Sequence, residues 1–474
     1  MRPYSSQTMF RALCAASALA GCVVHGLSLG VQSHWPHGEP YASVGGEAVL
    51  SLARKLGATM HRTCFSAADV AAGSATAAAA AVFVANATRG GAELLVTLYC
   101  DPACDEQITA TATPRQAYAG CEQYAHAVAS SPALRDVAVW ELGNELDQRC
   151  LVDATGAPCR DPSTPECKTR GDKPSDYDTA KFEIVAAQLK GLRDGLARAG
   201  DRRRTAVGTA GALHYGFLDR LRADFVDLDW NVTAWHWYSW MGNIDACALG
   251  GGAPVDVLRR VAGFGRPVWI TELGHTAGSK PSVGGESAQA AYLRDELARL
   301  KALSTQAPYA LLDAVFVYEL LDESQLAPSG EAYYGLASVA EQGRLRLKPA
   351  FDAVRDAFPR QFVRELSGLA ATWTLSNAGE AAPGAPTAEV GFSAANGASL
   401  TSSRVKLTPL LFWSIRPALP AQWARCSYRV PKGQDLPKTI VGTAGAHRRR
   451  PSIVLLTESY LNSPSKSRAL SFKM

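Results

Sequence analysis

The sequence lacks the long apolar run that a membrane-spanning helix needs. The small apolar residues at 12–24 (ALCAASALAGCVV) form a stretch too short to cross a bilayer, and they follow Arg2 and Arg11. A basic start before a short apolar stretch is typical of a secretory signal, so we predict a signal peptide over residues 1–26 and a secreted protein. A buried N-terminal helix is the alternative, but Ala, Cys and Gly side chains would bury little apolar area there.

The sequence also lacks a strong excess of positive or negative charge outside residues 425–474. The formal net charge of +4 arises in residues 425–474, which are rich in Lys and Arg, so the remainder of the chain is mildly acidic. No basic stripe in that main body indicates a nucleic-acid partner. The chain also has no His-x-x-x-His motif, which disfavours a metal hydrolase, and no glycine-rich phosphate fingerprint after its first strand.

What the sequence does contain is a regular alternation of strand-like and helix-like segments. A composition of 47% hydrophobic and 19% charged residues is typical of a globular chain. Eight short segments rich in β-branched and aromatic residues predict strands over 27–34, 58–63, 93–99, 137–142, 205–210, 231–238, 267–272 and 312–320. Amphipathic segments predict helices over 179–198, 217–225, 254–263, 287–304 and 347–358.

This alternation predicts an α/β fold with a parallel sheet. Eight such units over residues 27–362 fit a (β/α)₈ TIM barrel, and a doubly wound open sheet is the alternative. The character of the chain changes afterwards, since residues 366–403 are rich in Ala, Gly, Ser and Thr, with short alternating stretches. We predict a weakly structured C-terminal extension over 363–474, partly β or disordered, and assign no function to it.

Two glutamates stand where two of the predicted strands end. Glu145 follows the run VAVWELGN, Glu272 closes PVWITE, and each adjoins a loop glycine. The carboxyl ends of parallel barrel strands meet at one face, where active sites lie. A carboxylate pair there suits glycosidic bond cleavage, which needs a proton donor and a nucleophile or base. An ion-paired or surface carboxylate is the ordinary alternative for each.

Four motifs carry a resemblance to one enzyme group. They are WELGNE at 140–145, TAWHWY at 233–238, VWITELG at 268–274, and VFVYELLDE followed by YYGL at 315–336. Together they resemble retaining glycoside hydrolases of clan A, nearest in motif to heparanase-like β-glucuronidases and to cellulase-type and β-xylosidase-type members. The resemblance implies a barrel with the acid/base after the fourth strand and the nucleophile after the seventh, which are the places of Glu145 and Glu272.

The chemistry of retention sets requirements for these two residues. Their carboxyl groups must lie about 5–5.5 Å apart, so that one attacks the anomeric carbon while the other protonates the leaving oxygen. We therefore expect Glu145 to hold a proton at rest and Glu272 to be ionised beside hydrogen-bond donors, for which Arg62 and Tyr238 are the candidates. Leu146 departs from the Pro or Met that usually follows the acid/base of the clan, which weakens any subgroup assignment.

Polar and aromatic residues near the strand ends are the candidates for substrate binding: Asn144, Arg62, His236, Tyr238, Trp240, Tyr318, Glu319 and His34. Asn144 is expected at the sugar 2-hydroxyl, and Trp240 is placed for stacking on a sugar ring. His236 and Tyr238 alternate along strand six and so share one face. Arg62 could equally form a structural ion pair, with Glu141 as its partner. For His236, the alternative is a buried core histidine whose hydrogen bonds are made within the protein. Which of Tyr318 and Glu319 faces the site cannot be read from the sequence.

Cysteine usage agrees with a secreted protein. Eight cysteines lie between the predicted signal and the C-terminal extension, an even number that suits oxidised pairing: Cys64, Cys100, Cys104, Cys121, Cys150, Cys159, Cys167 and Cys247. We predict at least one disulfide within the loop of Cys100 and Cys104 or within the loop after Glu145. A zinc site is the alternative, but the spacing lacks the close pairs of zinc modules.

These features lead to one main hypothesis and one rival. The main hypothesis is a secreted, monomeric, retaining glycosidase that cleaves a β-linked polysaccharide or oligosaccharide with two glutamates and with no metal or other cofactor. The rival is a catalytically inactive carbohydrate-binding barrel, against which the presence of both glutamates argues. The sugar, the linkage and the choice between endo and exo action depend on loop shape and are not encoded in these motifs.

Overall fold

The computed structural model describes residues 27–104, 112–153, 155–159, 167, 171–249, 253–278, 284–340 and 343–358, together with the backbone of seven strands further along the chain. The predicted signal peptide, residues 1–26, lies outside the described residues. The chain divides into two compact units, and the unit His25–Arg360 contains the whole barrel.

Eight parallel strands form a closed barrel in sequence order. They are β1 (Ser28–Gln32), β2 (Met60–Cys64), β3 (Glu93–Leu98), β4 (Val139–Leu142), β5 (Arg204–Thr209), β6 (Val232–Tyr238), β7 (Val268–Gly274) and β8 (Leu312–Val317). Strand β1 pairs with both β2 and β8, which closes the sheet. The predicted (β/α)₈ fold is thereby confirmed, and each of the eight predicted segments contains or overlaps its strand. The open-sheet alternative is wrong.

Helices lie outside the barrel between successive strands. The α-helices of this unit are Tyr41–Val44, Gly46–Leu56, Ala75–Arg89, Pro114–Ser130, Thr179–Arg198, Tyr215–Asp224, Val257–Ala262, Gly285–Ser304 and Pro349–Ala357. Short 3₁₀ turns occupy Pro132–Leu134, Leu146–Arg149, Pro174–Asp176, Ser239–Met241, Ala307–Tyr309, Ser324–Leu326 and Gly330–Tyr333. Two short antiparallel strands, Ala337–Val339 and Leu345–Leu347, precede the last of these helices.

The core has two parts because side chains along each strand alternate between the two faces of the sheet. Inside the barrel, Met60, Leu95, Val139, Trp269 and Phe316 belong to one buried cluster. A larger buried cluster joins the outer faces of the strands to the helices, and it includes the fully buried Trp235 and Trp237 of β6. Filling the barrel interior with apolar side chains fixes the strands, so that polar groups at their carboxyl ends have defined positions.

Three disulfides fasten the loops at the carboxyl ends of the strands. Cys64–Cys100 links the ends of β2 and β3, Cys104–Cys121 ties the loop after β3 to helix Pro114–Ser130, and Cys159–Cys167 closes part of the loop after Glu145. The last pair, with Cα atoms 5.9 Å apart, confirms the predicted disulfide within that loop. The even count does not translate into four disulfides, because Cys150 and Cys247 are buried free thiols.

The other unit contains strands at Trp373–Thr374, Thr387–Ser393, Ser399–Lys406, Ala424–Tyr428, Thr439–Ala444, Ser452–Thr457 and Arg468–Phe472. They form a three-stranded sheet and two antiparallel pairs. The first lies within the alternating stretch ATWTLS, and the second contains the alternating stretch AEVGFS. Within the described parts of the chain, no helix has both the length and the apolar character that crossing a membrane would take.

Candidate active site

A cleft of about 560 Å³ opens at the carboxyl ends of the barrel strands, within the usual size range of ligand sites. Seven residues that the sequence singled out line it: His34, Asn144, Glu145, Tyr238, Trp240, Glu272 and Tyr318. Arg62 and His236 lie beneath this surface, where Arg62 contacts Glu272 and His236 contacts both glutamates. The strand ends therefore bring together residues that are far apart in the chain.

Glu145 enters the cleft through a tight turn after β4. Gly143 adopts a positive φ of 73°, and a side chain there would come within 2.4 Å of Leu146. Glu145 itself has a φ of 48°, an uncommon conformation for a residue with a side chain. The buried Leu146 fills the space over Gly143, so the residue that departs from the clan pattern supports the turn that presents Glu145.

Both carboxyl oxygens of Glu145 are engaged. Oε1 lies 2.7 Å from Nδ1 of His236, and Oε2 accepts a hydrogen bond of 2.6 Å from the side-chain amide of Gln148. Gln148 lies on the 3₁₀ turn that directly follows Glu145. The side chain of Glu145 is still 28% exposed, which leaves it accessible to a molecule in the cleft.

Glu272 lies on β7, is almost fully buried and is surrounded by hydrogen-bond donors. Arg62 donates to Oε1 at 2.5 Å, Tyr238 donates its hydroxyl hydrogen to Oε2, and Nδ1 of His236 is 3.3 Å from Oε2. Burial alone would raise the pKa of Glu272, but the charges of His236 and Arg62 and the two hydrogen bonds outweigh it. The pKa of Glu272 therefore lies below its ordinary value of 4.5, and the carboxylate is ionised.

Arg62, on β2 beneath the cleft, connects the end of β4 with Glu272 on β7. It is 1% exposed, and it donates to Glu141 at 2.6 Å and to the side-chain oxygen of Asn144 at 2.8 Å, besides its contacts with Glu272 and Gln32. Arg62 thus forms the ion pair with Glu141 and also donates to Glu272, whereas its contact with a substrate stays a prediction. Because Arg62 donates to the side-chain oxygen of Asn144, the amide NH₂ of this cleft-lining residue is its remaining donor group.

His236 lies between the two glutamates. The ring nitrogen of His236, one oxygen of Glu145 and one oxygen of Glu272 all lie within 4.8 Å of one another. Burial lowers the pKa of His236, but the negative Glu272 and the hydrogen bond and charge of Glu145 outweigh it, so the net pKa of His236 is raised. The raised pKa favours the protonated imidazole, whose positive charge attracts the carboxylate of Glu272.

The end of β8 separates two residues that the sequence could not distinguish. Tyr318 lines the cleft, whereas Glu319 is fully buried behind His34 and accepts a hydrogen bond of 2.8 Å from Tyr41. Burial and the negative Glu323 raise the pKa of Glu319 well above its ordinary value. His34 contacts Glu323 at 3.0 Å and borders the cleft. Glu319 therefore does not line the cleft but lies 3.5 Å from Nδ1 of His34, which does.

Three groups of potential metal ligands lie close together among the described residues. One contains Cys64 and Cys100, which are joined in a disulfide and offer no thiolate. A second contains His34, Glu319 and Glu323, and the third is Glu145, His236 and Glu272. In the third group, both oxygens of Glu272 already accept hydrogen bonds, one from Arg62 and one from Tyr238.

Several cleft residues were not anticipated from the sequence. Gln148, His214, Glu331, Tyr99 and Tyr334 all line the cleft, from loops after the strands or, for Tyr99, from the residue after β3. Position just after a strand end is the signal that marks such residues, but it marks many others equally.

No family model matches the chain, and no curated protein matches it. Its barrel resembles solved structures at low identity. A family 1 β-glucosidase from Thermotoga maritima is 13% identical, with a TM-score of 0.48, over 70% of this chain and 97% of that one. A GH1 β-glucosidase from Exiguobacterium antarcticum B7 is 11% identical, with a TM-score of 0.47, over 70% and 97%. A GH5_18 protein from Streptomyces cattleya, in complex with Manβ1-4GlcNAc, is 17% identical, with a TM-score of 0.45, over 75% and 86%. Identities this low describe a likeness of fold, and no substrate follows from them.

Proposed function

We propose that this chain is a retaining glycoside hydrolase that cleaves β-glycosidic bonds in an oligosaccharide or polysaccharide. The observation that carries the proposal is the convergence of Glu145 and Glu272 on His236, with one oxygen of each glutamate within 4.8 Å of the other. Double displacement requires carboxyl groups about 5–5.5 Å apart, whereas inversion requires a wider gap that admits water. The approach of these oxygens therefore favours retention.

In the first step, Glu272 attacks the anomeric carbon while Glu145 protonates the glycosidic oxygen. Glu272 is suited to attack because its donors keep it ionised and hold both of its oxygens in place. The leaving sugar departs and a covalent glycosyl ester remains on Glu272. In the second step, Glu145 takes a proton from water, and the water oxygen attacks the same carbon. The ester bond breaks, Glu272 leaves as a carboxylate, and the original anomeric configuration is restored.

The lining of the cleft favours a neutral sugar. A heparanase-like enzyme would need basic groups to hold a uronate carboxylate, but the described residues that line this cleft include no arginine or lysine. The amide of Asn144 and the hydroxyls of Tyr99, Tyr318 and Tyr334 are hydrogen-bonding groups for sugar hydroxyls. Trp240, which is 43% exposed, offers an apolar face for stacking on a sugar ring.

We further propose that the protein is secreted, monomeric and organised as a signal peptide (1–26), a catalytic barrel (27–362) and an extension (363–474). Three disulfides in the barrel unit suit an oxidising compartment. The rival, an inactive carbohydrate-binding barrel, would need the cleft and its aromatic residues but not an ionised Glu272 held by three neighbours. The donors around Glu272 thus favour the enzyme.

Chemical rescue tests the two roles. Glu272→Ala should abolish hydrolysis of p-nitrophenyl β-glycosides, and azide should restore turnover with an α-glycosyl azide as product, because azide then attacks from the face that Glu272 leaves open. Glu145→Ala should keep the first step for good leaving groups, and azide should yield the β-glycosyl azide. Glu93→Ala, which removes an exposed carboxylate at the opposite end of β3, is the control and should behave as wild type.

The reverse pattern of azide products would show that the two roles are exchanged. Wild-type protein that binds oligosaccharides but hydrolyses no glycoside in a broad panel would instead support the inactive-barrel rival.

A further inference from the structure

A histidine–aspartate pair lies in the cleft beyond Glu145, outside the catalytic chemistry described above. His214 belongs to the loop after β5 and lines the cleft, although only 4% of its surface is exposed. Its Nδ1 contacts Oδ2 of Asp147, a fully buried carboxylate two residues after Glu145. The other oxygen of Asp147 accepts the backbone N–H of Ala210 at 2.9 Å. The loops after β4 and β5 are thus bonded together through Asp147.

Asp147 determines which nitrogen of His214 faces the cleft as a free group. A carboxylate oxygen accepts a hydrogen bond, so the hydrogen of the neutral ring lies on Nδ1 and the lone pair lies on Nε2. Among the residues that the structure describes, Nε2 of His214 has no hydrogen-bond partner, whereas Nδ1 is satisfied. The pair therefore leaves one nitrogen of a cleft-lining ring available as an acceptor.

The ring of His214 is also fixed in place by its packing. Gly171 lies against it so closely that a side chain there would come within 2.4 Å of Cδ2 of His214. Tyr177 donates its hydroxyl to the carbonyl of Gly171 at 2.9 Å and lies 3.3 Å from the carbonyl of His214. A preorganised acceptor of this kind loses little side-chain entropy when it binds a ligand.

The position of His214 indicates which part of a substrate it meets. The attacked sugar must lie over Glu272, and Glu145 must reach the oxygen that joins it to the leaving group. The leaving group consequently lies next to Glu145. The loops after β4, β5 and β6 contribute Gln148, His214, Trp240 and Met241 to the lining of the cleft in which Glu145 lies.

We infer that Nε2 of His214 accepts a hydrogen bond from a hydroxyl of the leaving sugar, with Trp240 as the neighbouring stacking surface. The inference rests on the proposed glycosidase function and deepens it: the substrate is an oligosaccharide or polysaccharide, and the leaving group is itself a hydroxylated sugar. An alkyl or aryl leaving group has no hydroxyl for His214 and gains nothing from it.

The variant His214→Asn isolates this role. An asparagine amide reaches Asp147 in place of Nδ1 but has no atom at the position of Nε2, so the buried aspartate stays paired. The probes are the p-nitrophenyl β-glycoside that the wild type cleaves fastest and the β-1,4-linked trisaccharide of the same sugar. We expect kcat/KM for the trisaccharide to fall roughly tenfold, as for the loss of one substrate hydrogen bond, and kcat/KM for the aryl glycoside to stay unchanged.

Two further variants complete the test. His214→Gln places an amide oxygen near the position of Nε2 and should retain most of the trisaccharide turnover. His37→Asn, at a histidine that pairs with Asp69 at 3.1 Å outside the cleft lining, should change neither substrate. Equal losses on both substrates in His214→Asn, or no loss on the trisaccharide, would overturn the inference while leaving the glycosidase function intact. A wild type that hydrolyses neither aryl glycosides nor oligosaccharides would instead overturn the proposed function, and the role of His214 with it.

Discussion

The hydroxyl of Tyr238 is one of the donors that keep Glu272 ionised. Glu272 must be charged to attack, so activity is lost as the pH falls through its pKa, which lies below 4.5. Replacing Tyr238 with Phe removes a donor and raises that pKa. We predict that the acid limb of kcat/KM for an aryl glycoside moves to higher pH in Tyr238→Phe. Tyr334→Phe is the control, because Tyr334 packs against Tyr238 without a hydrogen bond to Glu272, and its acid limb should not move.

Gln148 is a positioning residue for Glu145, because its amide donates to Oε2 at 2.6 Å. Gln148→Met keeps the length of the side chain and removes the donor. Protonation of the leaving oxygen matters most for poor leaving groups, so we predict a loss of roughly tenfold in kcat/KM for those and little change for p-nitrophenyl glycosides. A uniform loss across leaving groups would assign Gln148 to folding of the turn instead.

At the scale of one element, helix Gly285–Ser304 contains a buried and unpaired carboxyl. Burial raises the pKa of Glu296 from 4.5 to about 7, and its Oε1 has no hydrogen-bond partner among the described residues. The folded state therefore retains a proton that the unfolded chain releases, and stability falls as the pH rises from 4.5 through about 7.

Glu296→Gln removes this titration and keeps the shape of the side chain. We predict that the variant equals the wild type in stability near pH 4 but exceeds it above pH 8 by about 3 kcal/mol, since each pH unit of the raised pKa is worth about 1.4 kcal/mol. Urea denaturation at the two pH values measures the difference. A stability difference that does not depend on pH would contradict the assignment.

The loop elements that bear disulfides differ in what they support. The cysteines of Cys104–Cys121 are 17 residues apart in sequence, and those of Cys159–Cys167 are 8 apart. By restricting the unfolded chain, disulfides of these spans stabilise the fold by about 3 and about 2.5 kcal/mol respectively. The effect of each disulfide on kcat should differ more than its effect on stability, because only Cys159–Cys167 lies in the loop after Glu145. We predict that Cys159→Ser/Cys167→Ser lowers kcat more than Cys104→Ser/Cys121→Ser does, at similar losses in Tm. The opposite ranking of kcat would remove that loop from the active-site wall.

For the whole molecule, the barrel unit contains every residue that the mechanism uses. We predict that a chain restricted to residues 27–362 folds and hydrolyses aryl glycosides with the kcat/KM of the full chain, because domains with their own core fold alone. Circular dichroism establishes folding and aryl glycoside kinetics establish activity. A folded but inactive barrel would assign residues 363–474 a part in catalysis.

The strands and the two glutamates were accessible from the sequence because a buried parallel strand has a continuous apolar pattern with a clear end. The cleft partners Gln148 and His214 were not, because their positions depend on turns in which Glu145 and Ala212 adopt positive φ values that no residue pattern announces. The pairing of Cys64 with Cys100 likewise follows from the adjacency of β2 and β3, which the cysteine count does not contain.

A covalent bond between Glu272 and the sugar distinguishes double displacement from a single-step mechanism. A 2-deoxy-2-fluoro β-glycoside with a good leaving group slows both steps and, when the leaving group departs easily, lets the ester accumulate. We predict that intact-protein mass spectrometry shows one added fluoroglycosyl group, that peptide mapping assigns it to Glu272, and that Glu272→Gln is not labelled. A label on another residue, or hydrolysis of ordinary substrates with initial release of the α-anomer, would contradict the double-displacement account.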